Sequence, residues 1–171
     1  MNLSPYQLIS SHFEKILVEQ TNSEDESRKP FDEFEIQHFV KITRIPQEND
    51  MDGLRVYVVA LGLRTGEEPP KNIPYAFEIV NVGTLVSNGK AGNVESEVDD
   101  GAARYGFSLL LGQIRETLAS TTSRMQNGTF LIPTIDFREA KYSELADGVE
   151  LKENKSSTPD KIDSSSDSGE A

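Results

Sequence analysis

With 171 residues, 36% of them hydrophobic, and a net charge of −12, the chain has room for one ordinary domain and a polar extension. Its acidity argues against nucleic acid or an anionic membrane as partner, because both need a basic footprint. The absence of cysteine excludes disulfides, thiol catalysis and cysteine-ligated zinc.

The opening MNLSPYQL lacks the basic and apolar parts of a secretory signal. No run reaches the roughly 18 apolar residues of a spanning helix. The expected location is cytoplasmic, without membrane insertion.

Four segments read as strands. SSHFEKILVEQ alternates weakly, with Phe13 and then Ile16 to Val18 as its apolar positions. FDEFEIQHFVKITRI is cleaner: Phe34, Ile36, His38, Val40 and Ile42 share one face. The other face is polar except for Phe39. LRVYVVALGLRT is β-branched and apolar on both sides, as a central strand should be. IPYAFEIVNVGTLVS places Tyr75, Phe77 and Ile79 on one face. The connectors NSEDESRKP, PQENDMDG and TGEEPPKN carry turn chemistry, and a four-stranded antiparallel meander is the simplest topology.

A helix is expected from about Ala102 to about Met125. Asp99 or Asp100 serves as its N-cap, and Asn127-Gly128 as its stop signal. Ala103, Phe107, Leu110, Leu111, Ile114, Leu118 and Met125 form one apolar stripe that should cover the sheet. Tyr105, Leu109, Gly112 and Ala119 form a second. One sheet can bury only one stripe, and a mid-helix glycine costs about 1 kcal/mol relative to alanine. The second stripe is therefore expected to be an oligomer interface, helix against helix.

After the helix comes QNGTFLIPTIDF, apolar but interrupted by Pro133, which cannot donate to a strand ladder. REAKYSELADG could add a short C-terminal helix. From Val149 onward Ser, Asp, Lys and Glu dominate, and such a segment cannot bury enough surface to offset its ordering entropy. The expected fold class is α+β: a four-stranded antiparallel meander with one long helix, and a short second one, on one face. Residues 1–147 form the domain and 148–171 a disordered acidic tail.

No catalytic set emerges. His12 and His38 fall on different strands without a second ligand at metal spacing. The acids of ESEVDD read as a solvated helix entrance rather than a cation site. No phosphate loop or nucleophile elbow is present. The expectation is a protein that is not an enzyme and uses no cofactor or metal.

The stretch GQIRETLASTTSRMQNGTFLIPTIDF resembles the protein-export chaperone SecB family. The resemblance rests on Arg115-Glu116, on Ser120 to Arg124, on Gly128-Thr129-Phe130 and on Asp136-Phe137. LSPYQLISSHFEKILVE is similar to the family's first strand, and NIPYAFEIVNVGTL to its fourth. The resemblance spans roughly Leu3 to Phe137. It implies a four-stranded antiparallel sheet with helices on one face, and a homotetramer built as a dimer of dimers. It also implies an ATP-independent holdase that takes unfolded polypeptide clients, including preproteins for export, into apolar grooves. Docking to the translocation ATPase SecA follows only from the export role. The segment after Asp136-Phe137 is shorter here than the family's second helix. The alternative reading is a dedicated SecB-like module holding one partner, such as an antitoxin or a phage protein. By this resemblance, the client-binding residues are Phe31, Phe34, Ile36, Phe130, Leu131 and Ile132.

Overall fold

The computed structural model describes residues 4–21, 36–46, 54–66, 73–88 and 99–137. The described residues form four strands and one helix: β1 (Tyr6–Gln20), β2 (Ile36–Ile45), β3 (Leu54–Thr65), β4 (Tyr75–Asn88) and α1 (Asp100–Thr122). The expected tail and short second helix lie outside the described residues.

All strand pairings are antiparallel, and the spatial order is β1-β4-β3-β2. β2, β3 and β4 form a meander, and β1 joins it beside β4 rather than beside β2, which is a Greek-key arrangement. Composition explains the order. β3 and β4 are apolar on both faces, and this arrangement places both of them in the middle. The half-polar β1 and β2 take the edges, where one side of each strand meets water.

Register fixes the faces. Val59, Leu61 and Leu63 of β3 and Phe77 and Ile79 of β4 point toward α1 and are buried. Ile36, Val40 and Ile42 of β2 share that side, as their alternation indicated. In β1 the pairing slips between Leu8 and Ser10 and between Phe13 and Lys15. Each slip is a bulge that re-aims the following side chains. This is why the alternation of β1 is weak in the sequence, and why Phe13, Ile16 and Val18 still reach the helix side.

Helix α1 begins at Asp99, whose carboxylate accepts from the backbone N–H groups of Gly101 and Ala102, satisfying donors that have no intrahelical partner. The Tyr6 hydroxyl donates to the same carboxylate at 3.1 Å and 3.2 Å, fastening β1 to the helix start. Burial first, and Asp99 second, push the Tyr6 phenol up to about 12.

The expected inner stripe is the one that packs: Ala103, Phe107, Leu110, Leu111, Ile114 and Leu118 are buried. The largest of them contribute roughly 2 kcal/mol each by area removed from water. The approach is close at Gly106, where a Cβ would come within 3.1 Å of both γ-methyls of Val59. The helix stops at Thr122, a turn short of the expected end. The Thr122 hydroxyl donates back to the Leu118 carbonyl and accepts from the Phe130 N–H. Tight turns then carry the chain from Ser123 to Gly128. Gly128, at φ 77°, shapes the loop rather than ending the helix.

Candidate functional site

One end of the sheet gathers the residues singled out above. β1 ends there with Gln20 opposite Tyr75, and β2 begins there with Ile36 opposite Thr65. The chain leaving α1 is tied to the same end by polar contacts. Tyr75 donates its hydroxyl to the Gly128 carbonyl at 2.6 Å. The Asn127 side chain donates to the Pro74 carbonyl at 3.2 Å. Tyr75 is fully buried, and burial raises its phenol above the usual value, so it remains a donor.

With its start held in this way, the segment from Phe130 runs extended along the helix, and its first side chains alternate. Phe130 is buried, with its ring centroid 6.0 Å from those of both Tyr75 and Phe77. Ile132 is sealed at 1% exposure, while Leu131 between them stands 52% exposed. Pro133 and Thr134 face out. Phe137 then turns in against Phe107, 5.8 Å between centroids. Arg115 reaches Thr134 at 3.5 Å from the helix side.

Of the six expected client-binding residues, Ile36, Phe130 and Ile132 meet in one apolar cluster, Ile36 at its partly exposed edge. Leu131 projects from it into solvent. Phe31 and Phe34 lie outside the described residues. The chemistry of this end is therefore apolar contact on a backbone held by hydrogen bonds.

Of the second stripe of α1, Leu109, Gly112 and Ala119 lie away from the core, whereas Tyr105 packs against the smaller buried cluster of Tyr57, Leu85 and Ala102. Leu109 is 36% exposed, and Gly112 is exposed, with nothing within 4 Å of where a Cβ would sit. Ala119 is partly exposed. Tyr105 is partly covered by Tyr6, with centroids 5.9 Å apart. Ile16 and Leu17, read in the sequence only as apolar strand positions, stand 50% and 43% exposed, and Ile9, outside the strand read from alternation, 62%. The signal for them was the broken alternation of that strand.

His38 lies on the helix-side register of β2, and burial lowers its pKa. His12 is exposed on β1. Among the described residues no group of His, Asp and Glu is placed to hold a metal, and no helix is long and apolar enough to cross a membrane.

No family model matches the chain, and no curated protein does. Among solved structures it is similar to a protein of unknown function from Streptococcus agalactiae. That likeness has 13% identity and a TM-score of 0.53, and covers 76% of this chain and 97% of the other. It is also similar to a SecB-like chaperone of Mycobacterium tuberculosis, solved in complex with a peptide from an antitoxin. There the identity is 9% and the TM-score 0.41, covering 76% of this chain and 90% of that one. The first likeness is a shared fold; the second is fainter.

Proposed function

We propose that this protein is an ATP-independent holdase that binds non-native polypeptide segments at the sheet end where Leu131 projects. One observation carries the reading. A large aliphatic side chain is held 52% exposed between two sealed neighbours, on a loop fixed by Tyr75 and Asn127. Exposing Leu131 rather than turning it inward forgoes roughly 1 kcal/mol or more of burial. A site that takes apolar segments from other chains needs such exposure. Phe130 and Ile132 form the floor that holds Leu131 in place. Ile36 borders the same cluster at its partly exposed edge, and Phe31 and Phe34 are proposed as client contacts on the family resemblance alone. Apolar contact without directional polar groups gives broad client choice, and the reading requires no catalysis or cofactor.

The second part of the proposal is self-association through Leu109, Gly112, Ala119 and Tyr105. An exposed helical glycine with open space beside it suits the close approach of a second helix, and a dimer of dimers is the assembly proposed.

The test is light scattering from a chemically denatured client diluted into buffer with the protein present. Wild type suppresses aggregation; Leu131→Glu, at unchanged circular dichroism and native mass, loses most of the suppression. Full suppression by Leu131→Glu contradicts the site. Co-purification of one dominant partner in place of many clients supports the dedicated-module reading over the general holdase.

A further inference from the structure

The two edges of the sheet are built differently. β1 forms one edge and β2 the other. Two bulges break β1, between Leu8 and Ser10 and between Phe13 and Lys15, so its longest regular run is Lys15 to Gln20. Bulges of this kind spoil an edge for further pairing. β2 has none: from Ile36 to Ile45 every residue pairs in step with β3, and no proline interrupts it. On its other side, alternate residues of this strand present N–H and C=O groups that no described strand pairs.

Placement ties that edge to the proposed site. Helix α1 packs over β4, β3 and β1, and β2 is the strand it covers least. β2 begins at Ile36, at the margin of the apolar cluster that holds Phe130 and Ile132, and Val40 and Ile42 continue the apolar side of the strand.

Charge is divided between the strands as well. β2 and β3 carry Lys41, Arg44, Arg55 and Arg64 and no carboxylate, whereas β1 and β4 carry Glu14, Glu19 and Glu78 against Lys15 alone. Lys41 stands midway along β2, exposed, on the sheet face that α1 leaves uncovered. It has no ion pair among the described residues. Glu78 shares that face but lies two strands across and four residues along. Strand geometry makes that roughly 17 Å, beyond the screening length of ~8 Å. Asp32, Glu33 and Glu35 precede the strand and Glu48, Asp50 and Asp52 follow it, so the positive part of this edge is its middle.

Hydrogen bonding and charge together select the occupant. An extended chain offers the complementary row of backbone groups whatever its sequence, so the breadth of client choice is kept. Pairing with a second copy of β2 over its length sets the two Lys41 side chains directly opposite or one step apart on one face, and like charges so placed repel.

We propose that extended client segments add to the sheet as a further strand along β2, with apolar residues on the side of Ile36, Val40 and Ile42 and a carboxylate beside Lys41. This inference rests on the holdase reading and specifies the conformation in which the client is held.

The probe is a fluorescein-labelled eight-residue peptide alternating Val and Thr, with Glu replacing one central Thr, titrated into the full chain by fluorescence anisotropy. Two further versions carry N-methyl groups on alternate residues, one at the Val positions and one at the Thr and Glu positions. In an added strand only one of these sets of N–H groups faces β2. One methylated version therefore binds about tenfold or more weaker than the parent, and the other binds as the parent does. Lys41→Glu, at an exposed position, lowers affinity for the Glu peptide and raises it for a version with Lys in place of Glu. Hydrogen exchange slows on binding at alternate residues between Ile36 and Ile45. Equal binding of the two methylated versions, an unchanged charge preference in Lys41→Glu, or slowed exchange only outside β2 would overturn the proposal. Failure of the parent peptide to bind a protein that suppresses client aggregation would overturn it too, and leave the holdase reading standing; loss of that suppression in wild type would remove both. Exchange already slow along this edge in the free protein, and quickening on dilution, would place a second copy there and exclude a client.

Discussion

The ring of Phe39 on β2 lies over Gly62 on β3, its cross-strand partner on the uncovered face, and fills the space that a Cβ at Gly62 would need. Phe39 interrupts an otherwise polar face in the sequence. The missing side chain across the ladder accounts for it, since the glycine leaves a gap and the aromatic ring covers it.

Gly62→Ala therefore forces the ring aside. The substitution gains about 0.4–1 kcal/mol from a stiffer unfolded chain, and overpacking costs about 1–3 kcal/mol, so a net loss of about 1 kcal/mol is expected. Combining it with Phe39→Ala should cost less than the two single changes added together. Chemical denaturation of the four proteins in a double-mutant cycle measures that coupling. Strict additivity would show that the ring does not depend on Gly62.

Two helical glycines should respond in opposite directions. At Gly106 a Cβ meets the Val59 methyls at 3.1 Å inside the core, and the neighbours have little room to give. Gly106→Ala is expected to lose about 1 kcal/mol despite the better helix propensity. At Gly112 nothing lies within 4 Å. Gly112→Ala should stabilise the protomer by about 0.5–1 kcal/mol while weakening self-association. Denaturation and sedimentation of the same pair of variants check both effects; a Gly112→Ala protein that associates as tightly as wild type argues against a helix–helix contact there.

His38 sets a dependence on acid. Burial holds its folded pKa below the unfolded value near 6.5, so the unfolded chain takes up the proton first. The His38 contribution is complete above pH 6.5 and is lost as pH falls through the lower folded value. His38→Gln should flatten thermal stability against pH in that window. An unchanged slope would mean that other groups carry it.

Tyr6 works at the other end of the scale. Its folded pKa of about 12 stands above the ordinary value of 10.0. Its contribution is therefore intact below pH 10 and is lost as pH rises toward 12. Tyr6→Phe should cost about 1 kcal/mol at neutral pH by removing a hydrogen bond to a charged carboxylate, and should reduce the alkaline loss. Denaturation at pH 7 and pH 11 measures both.

Much of the architecture was legible because it is written in local periodicity. The bounds of β3 follow from a run rich in β-branched residues and apolar on both sides, and the inner stripe of α1 from its three- and four-residue spacing. The N-cap at Asp99 follows from side-chain chemistry next to the first apolar turn. Strand order was less accessible, because the choice of β4 over β2 as the neighbour of β1 depends on contacts between segments distant in sequence. The bulges of β1 leave no turn signal, so alternation alone began the strand at Ser10, and only the family resemblance reached back over Tyr6 to Ile9. The loop after the helix read as uniformly apolar. Only the Tyr75–Gly128 and Thr122–Phe130 hydrogen bonds sort Phe130 and Ile132 to the inside and Leu131 to the outside. Net charge read as a property of the whole molecule, although the described residues carry eight Lys and Arg against seven Asp and Glu, and the acidic excess lies in the sequence outside them.

The most direct measurement is native mass spectrometry of the full chain, alone and with a permanently unfolded client added in excess. The account predicts an assembly of several protomers that gains the mass of bound client. A single protomer whose mass does not change when the client is added would contradict both the open helix face and the binding site around Leu131.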